Sequence, residues 1–227
     1  MLGWLFRLPA IAYFVIAGLL VAGGIAMFFS MRADDSARAA ALRHAPPAVI
    51  TLDELKPATY KADYDEIVLK AQAFPQGMIE SVKTKGSREV GRTLYMPLFP
   101  LAAKTPDEPA TAVIVVEGTI SDDEIGKMFV APGTIGPVAQ VDGIFEGESS
   151  LDRSKAIEAL QRTVKLSPDF AIIKPFVHGR KADLAPRGDG PAVLIAALVA
   201  AVVSALFGFY RKQSEPGYGD RADGYQS

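Results

Sequence analysis

Cysteine is missing altogether from this sequence, which rules out disulfides, thiolate catalysis and cysteine-ligated zinc. Its absence leaves the compartment open, because a domain large enough to build its own core needs no covalent staple. Histidine is scarce, at two residues, and tryptophan occurs once. No excess of positive charge exists either. The 24 Lys+Arg stand against 26 Asp+Glu for a formal net charge of −2, without a basic run, so the electrostatic footprint of a nucleic-acid binder is lacking. The short signatures of common chemistry are also missing: no G-x-G-x-x-G, phosphate-binding P-loop, H-E-x-x-H or G-x-S-x-G elbow occurs.

Apolar residues are plentiful, at 49% against 22% charged, and they are concentrated in two places. The run Leu8–Met31 carries no charge and is bounded by Arg7 and Arg32. At about 1.5 Å per residue, a helix of that length crosses a hydrocarbon core of about 30 Å. A cleavable signal peptide has a shorter apolar core of about 7–15 residues followed by a small-x-small site, and no clean site follows here. A second uncharged run, Gly190–Tyr210, ends at Arg211 and Lys212, with Phe207, Phe209 and Tyr210 placed as interfacial aromatics. Neither run holds an ionisable group, which argues against an ion or proton path through this chain alone.

Two spans put both termini on one side of a bilayer and the central region on the other. Arg7 and the Arg211–Lys212 pair favour cytoplasmic termini, whereas Arg32, Arg38, Arg43, Lys174, Arg180, Lys181 and Arg187 flank the central region and count the other way. Long domains translocate largely regardless of such charges, so the reading places the loop outside the cytoplasm, at a bacterial or organellar inner membrane. The expected organisation is a cytoplasmic stub at 1–7, a transmembrane helix at 8–31 and a helical extension and linker at 32–50. A β-rich domain at 51–178, a linker at 179–189, a second span at 190–210 and a flexible tail at 211–227 follow.

Within the loop, Ile67, Leu69, Ala71 and Ala73 share one face of Glu66–Ala73, the period of a half-buried strand. Val90–Phe99 repeats the pattern more weakly, with Pro97 demoting its end to an edge. Ala112–Ile120, Val138–Phe145 and Phe170–Val177 complete five predicted strands. Turn chemistry falls at Lys85-Gly86, Thr105–Pro109 and Pro132-Gly133. Ile157, Leu160 and Val164 predict a helix over Leu151–Lys165, with Ser149 and Ser150 as caps, and a short helix is expected at Leu52–Leu55. The fold class is therefore a membrane-anchored α+β protein. Two transmembrane helices flank a mostly antiparallel β domain, a small barrel or sandwich with one inserted helix.

Candidate chemistry is thin. Val116-Glu117-Gly118 and Val141-Asp142-Gly143 echo each other, which reads as two strands that each need a glycine for a bulge or bend. The same echo makes Glu117 and Asp142 a speculative carboxylate pair, provided their strands are neighbours. His44 and His178 each lie near a span by sequence, but two such ligands do not make a metal signature, and they read as solvated histidines. The acidic runs Asp63–Glu66 and Asp122–Glu124 read as solvated turns. No catalytic, metal or cofactor residue is assigned, and no cofactor is expected. For helix packing, Gly18, Ala22, Ala26 and Ser30 form a small-residue row in the first span, as do Ala192, Ala196, Ala200, Ser204 and Gly208 in the second. A second row there comprises Ala197, Ala201 and Ala205.

With the spans, the β-rich loop and the strands Val113–Gly118 and Val138–Gly143 in place, the layout resembles the Surfeit-locus family of cytochrome oxidase assembly proteins. That resemblance implies an extracytoplasmic β domain between two spans and a role in assembling a respiratory complex. The chain departs from the family at Glu117, where an arginine is expected. Pro191–Tyr210 also lacks the asparagine-histidine signature associated with haem, so haem handling is not carried over. The first reading is a non-enzymatic accessory or assembly protein, with the lipid bilayer and other integral membrane subunits as partners and no nucleic acid. A membrane-anchored enzyme using Glu117 and Asp142, or a small-molecule or lipid-binding sensor at a barrel mouth, stays open.

Overall fold

The computed structural model describes residues 9–146 and 151–214. The expected stub at 1–7, the cap role of Ser149 and Ser150, and the tail beyond 214 lie outside them. The described chain divides after Ser36 and after Ala185 into a helical unit and a β unit.

The helical unit is built on α1 (Ala10–Arg43), whose last turns belong to the β unit, and α5 (Gly190–Ser214). Both are long and apolar enough to cross a membrane, and only 11% of the most apolar window of each is buried, unlike the core helix of a soluble protein. They pack antiparallel: Gly208 faces Phe14, Gly24 faces Ala197, and Gly190 faces Phe28. A Cβ on Gly24 would come within 2.5 Å of the Ala197 Cβ, so the backbones approach closely there. Phe14 meets Phe209 edge to face at 5.1 Å. In the linker before α5, the Asp35 carboxylate accepts the backbone N–H groups of Arg187 and Gly188 at 2.8 and 3.1 Å.

The seam takes part of each predicted row on α5, Ala197 and Ala201 from one and Ser204 and Gly208 from the other, and misses the predicted row on α1. Gly18, Ala22, Ala26 and Ser30 are exposed, as are Ala192, Ala196 and Ala200; Ser204 is half-buried and Gly208 buried. Gly24 on Ala197, Phe28 on Gly190 and Phe14 on Gly208 are in contact, and the less exposed line of each helix runs through Ala17, Val21, Gly24 and Phe28 on α1 and through Ala197, Ala201, Ser204 and Gly208 on α5. These steps alternate between four and three residues. With about 3.6 residues per turn, a strict four-residue row rotates about 40° per step and leaves the seam.

The β unit holds an eight-stranded mixed sheet. Its strands are β1 (Val49–Thr51), β2 (Glu66–Ala73), β3 (Ile79–Lys85) and β4 (Arg88–Phe99). The series continues with β5 (Ala110–Glu117), β6 (Phe129–Ala131), β7 (Val138–Glu146) and β8 (Leu166–Pro175). Pairings β2–β4, β4–β5, β5–β8, β8–β7 and β7–β2 close a ring, so the five strands legible in the sequence form a barrel. Most pairs are antiparallel; β1–β2 and β5–β8 are parallel.

Alternation decides which side chains fill the barrel. Ile67, Leu69, Ala71, Met96, Ile114 and Ile173 point into one buried cluster inside it. The opposite faces of β4, β5 and β8 form a second cluster, with Tyr95, Val113, Phe170 and Ile172 covered by Ala156 and Leu160 of α3 (Leu151–Leu160). Strand β2 is also buried on both faces rather than half-buried, with Glu66, Val68 and Gln72 covered on its outward side.

Three local expectations are corrected. Leu52–Leu55 is a turn rather than a helix, closed by Thr51 N–H donation to the Glu54 carboxylate at 2.8 Å. Pro97 is not at an edge. It sits where β3 ends as the neighbour of β4 (Ile79↔Tyr95) and β2 begins (Ala73↔Leu98), so its missing N–H costs no ladder bond. The two echoed glycines serve different needs: Gly118 adopts φ +95° at the end of β5, whereas a Cβ on Gly143 would collide with the Lys174 carbonyl of β8.

Candidate functional site

One edge of β7 is shared by two neighbours. Near its start it pairs with β6 (Phe129↔Ala139, Ala131↔Val138), and near its end with β8 (Gly143↔Pro175 to Glu146↔Ile172). Between these pairings, Gln140 N–H donates to the Met128 carbonyl and Phe176 N–H donates to the Asp142 carbonyl, both at 2.8 Å. The two neighbours diverge there and leave a cleft of about 440 Å³. Gln140, Val141 and Asp142 form its floor, Met128 and Val130 one wall, Phe176 and Val177 the other.

Short α2 (Asp122–Lys127) sets the rim. Ser121 caps it: its Oγ accepts the Glu124 N–H, while the Glu124 carboxylate accepts the Ser121 N–H at 2.8 Å, a reciprocal capping box. Donation by the Ser121 N–H and hydroxyl to the Glu124 carboxylate holds this carboxyl below its ordinary range. Asp122–Glu124 is thus the first turn of a helix rather than a loop. Lys127 is tied to Asp123 at 2.7 Å. On the opposite rim, His178 Nδ1 lies 3.1 Å from Asp183 Oδ1, and its backbone N–H donates to Asp183 Oδ2. The Asp142 carboxylate makes no hydrogen bond or ion pair among the described residues. Arg180 is near enough for the two charges to act on each other.

Below the His178 rim, Arg180 opens short α4 (Arg180–Asp183) and makes a buried clamp. Its guanidinium pairs with Glu66, which is 3% exposed, and its Nη2 donates to the carbonyls of Ala41 and His44 at 2.8 and 3.1 Å. The bond to Glu66 raises the Arg180 pKa. From α1, Arg38 reaches the Asp183 carbonyl at 2.9 Å and lies over the Tyr64 ring, while Ala41 and Leu184 are buried beside it. The clamp joins the segments where the chain enters and leaves the barrel. It corrects the reading of Asp63–Glu66 as wholly solvated, since Glu66 is buried and paired.

Glu117 and Asp142 are not brought together. Strand β8 separates β5 from β7, and the two carboxylates lie in different surroundings. Glu117 faces the Lys174 ammonium at 3.7 Å, which also binds Glu146 and Asp152 at 2.7 and 2.8 Å. Hydrogen bonds from Lys155 and Lys174 hold the Asp152 carboxyl below its usual range. Burial pulls Lys174 down, but its bonds to Asp152 and Glu146 outweigh this and hold it above the ordinary lysine range. His44 and His178 both approach the clamp, yet among the described residues no group of three or more His, Asp or Glu is placed to hold a metal.

Sequence reasoning missed Arg38, Glu66, Gln72 and Arg180. Gln72 sits at the polar position of an alternating strand but is 1% exposed. Its Nε2 donates to the carbonyls of Pro100, Leu101 and Ala103, and its Oε1 accepts the N–H groups of Thr134 and Ile135. Only α2 carried a readable signal, the Ser121-x-x-Glu124 spacing. No family model, curated protein or solved structure matches this chain.

Proposed function

We propose that this chain is a non-enzymatic accessory or assembly protein of a larger membrane complex. Two spans hold it in a bacterial or organellar inner membrane, with the β barrel on the extracytoplasmic side. The observation that carries this reading is the direction of the small-residue rows. The helix pair uses Ala197, Ala201, Ser204 and Gly208 of α5, and Gly18, Ala22, Ala26 and Ser30, with Ala192, Ala196 and Ala200, are left on outer faces. In lipid, where apolar surface gives no drive for association, small rows let other helices approach closely. The barrel supplies the second element, a rigid scaffold whose interior is packed with side chains and whose open cleft lies at a strand seam. The Surfeit-like layout supports a respiratory complex as the assembly served.

Purification of the tagged full chain in mild detergent tests the proposal. The expected result is migration on native gels as a complex with integral membrane subunits, shifted toward the free chain by Ala22→Leu combined with Ala196→Leu. Migration only as a monomer, with nothing recovered after crosslinking in the membrane, would overturn it.

A further inference from the structure

The cleft at the β7 seam combines three features. Its floor presents Gln140 and Asp142 at i and i+2 on one strand, so both side chains leave the same face of the barrel. Its walls are apolar, with Met128 and Val130 opposite Phe176 and Val177. The other charged groups at its rim are already engaged: Glu124 in its capping box, Lys127 with Asp123, and His178 with Asp183. Arg180 acts on Asp142 through its charge, but its Nε and Nη2 are bonded to Glu66, Ala41 and His44. Asp142 is left as an acceptor between apolar walls.

We infer that this cleft binds a lysine or arginine side chain presented by a protein partner, with Asp142 receiving the cationic head and Gln140 bonding beside it. The chemistry of such a side chain matches the site part by part. A long aliphatic stem lies along the Met128 and Phe176 walls, while the ammonium or guanidinium meets the carboxylate. An anionic ligand meets Asp142 with like charge, and a purely apolar one leaves the carboxylate buried beneath it without a partner. The partner's identity as a protein rests on the accessory reading; the cationic chemistry of the site does not.

The test uses the full chain in nanodiscs, with carbon-13 methyl labels on methionine and valine, titrated with small probes. N-acetyl-lysine amide and N-acetyl-arginine amide are expected to give saturable shifts at Met128, Val130 and Val177, while N-acetyl-norleucine amide and N-acetyl-glutamate amide are not. Asp142→Asn is expected to weaken the cationic probes at least tenfold, and Gln140→Ala severalfold, with the methyl spectrum of the free protein otherwise preserved. Equal shifts with norleucine, no saturable shift with either cationic probe, or undiminished binding by Asp142→Asn would overturn the inference. So would putrescine binding as tightly as the lysine probe, which would make the site one for free polyamines. Loss of the native-gel complex in a protein that still binds the lysine probe would count against the accessory reading alone.

Discussion

At Gln72 a single buried side chain holds two loops, because its amide reaches three carbonyls and two N–H groups, all of them buried or part-buried. Replacing it by leucine keeps the volume and removes every one of those partners. Gln72→Leu is expected to destabilise the full chain by about 3 kcal/mol in a denaturant melt, since buried groups left without partners cost about 1–3 kcal/mol each. A change below about 0.5 kcal/mol would mean that water replaces the amide. Nothing in the sequence marks this glutamine as buried. Its place in the alternation of β2 is that of a solvent-facing residue, and the loops that cover it start from residues 100 and 132. Glu66 and Arg180 were hidden for the same reason. The partner that makes a buried charge affordable lies far along the chain, and no local pattern records the pair.

Elements were legible wherever one buried face imposed a period. The five strands of the barrel ring carry apolar residues at strand spacing and were readable; α3 departs from its predicted face and end, since it stops at Leu160 rather than Lys165 and buries Ala156 and Leu160 while Ile157 is exposed. Strands β1, β3 and β6 were not readable. β3 is exposed over nearly its whole length, so no core selects its residues, while β1 and β6 are three residues each and too short to show a period. The domain ends also moved, because Ala41 and Leu184 are buried in the β unit although they lie outside the alternating region. A fragment covering 37–185 is therefore expected to melt cooperatively in circular dichroism. The shorter 51–178 fragment, which lacks Arg180 and Leu184, is expected to be less stable by about 3 kcal/mol, given the loss of a buried leucine and of the arginine that partners the buried Glu66. Equal melts would show that the clamp contributes nothing to the core. For the helix pair, cysteines introduced at Tyr13 and Gly208, whose Cβ atoms would lie 3.2 Å apart, are expected to crosslink under mild oxidation, whereas cysteines at Ala22 and Ala200 stay free. The opposite result would return the seam to the strict four-residue rows.

For the whole molecule, the sequence fits a chain with two apolar helices and a β-rich loop, and the structure adds the ring closure, the clamp and the cleft. The side of the membrane was not readable, because the flanking charges disagree, and the cleft was not, because its lining comes from α2, β6, β7 and the segment after β8 and carries no shared period. The account joins two claims: the outward small rows meet other helices, and the cleft meets a basic side chain. Crosslinking mass spectrometry on intact membranes tests both most directly when a permeant and an impermeant reagent are compared. The account predicts crosslinks from Lys127 to an integral membrane subunit, formed equally by the impermeant reagent added from the extracytoplasmic side. Crosslinks confined to this chain, or reaching Lys127 only with the permeant reagent, would contradict it.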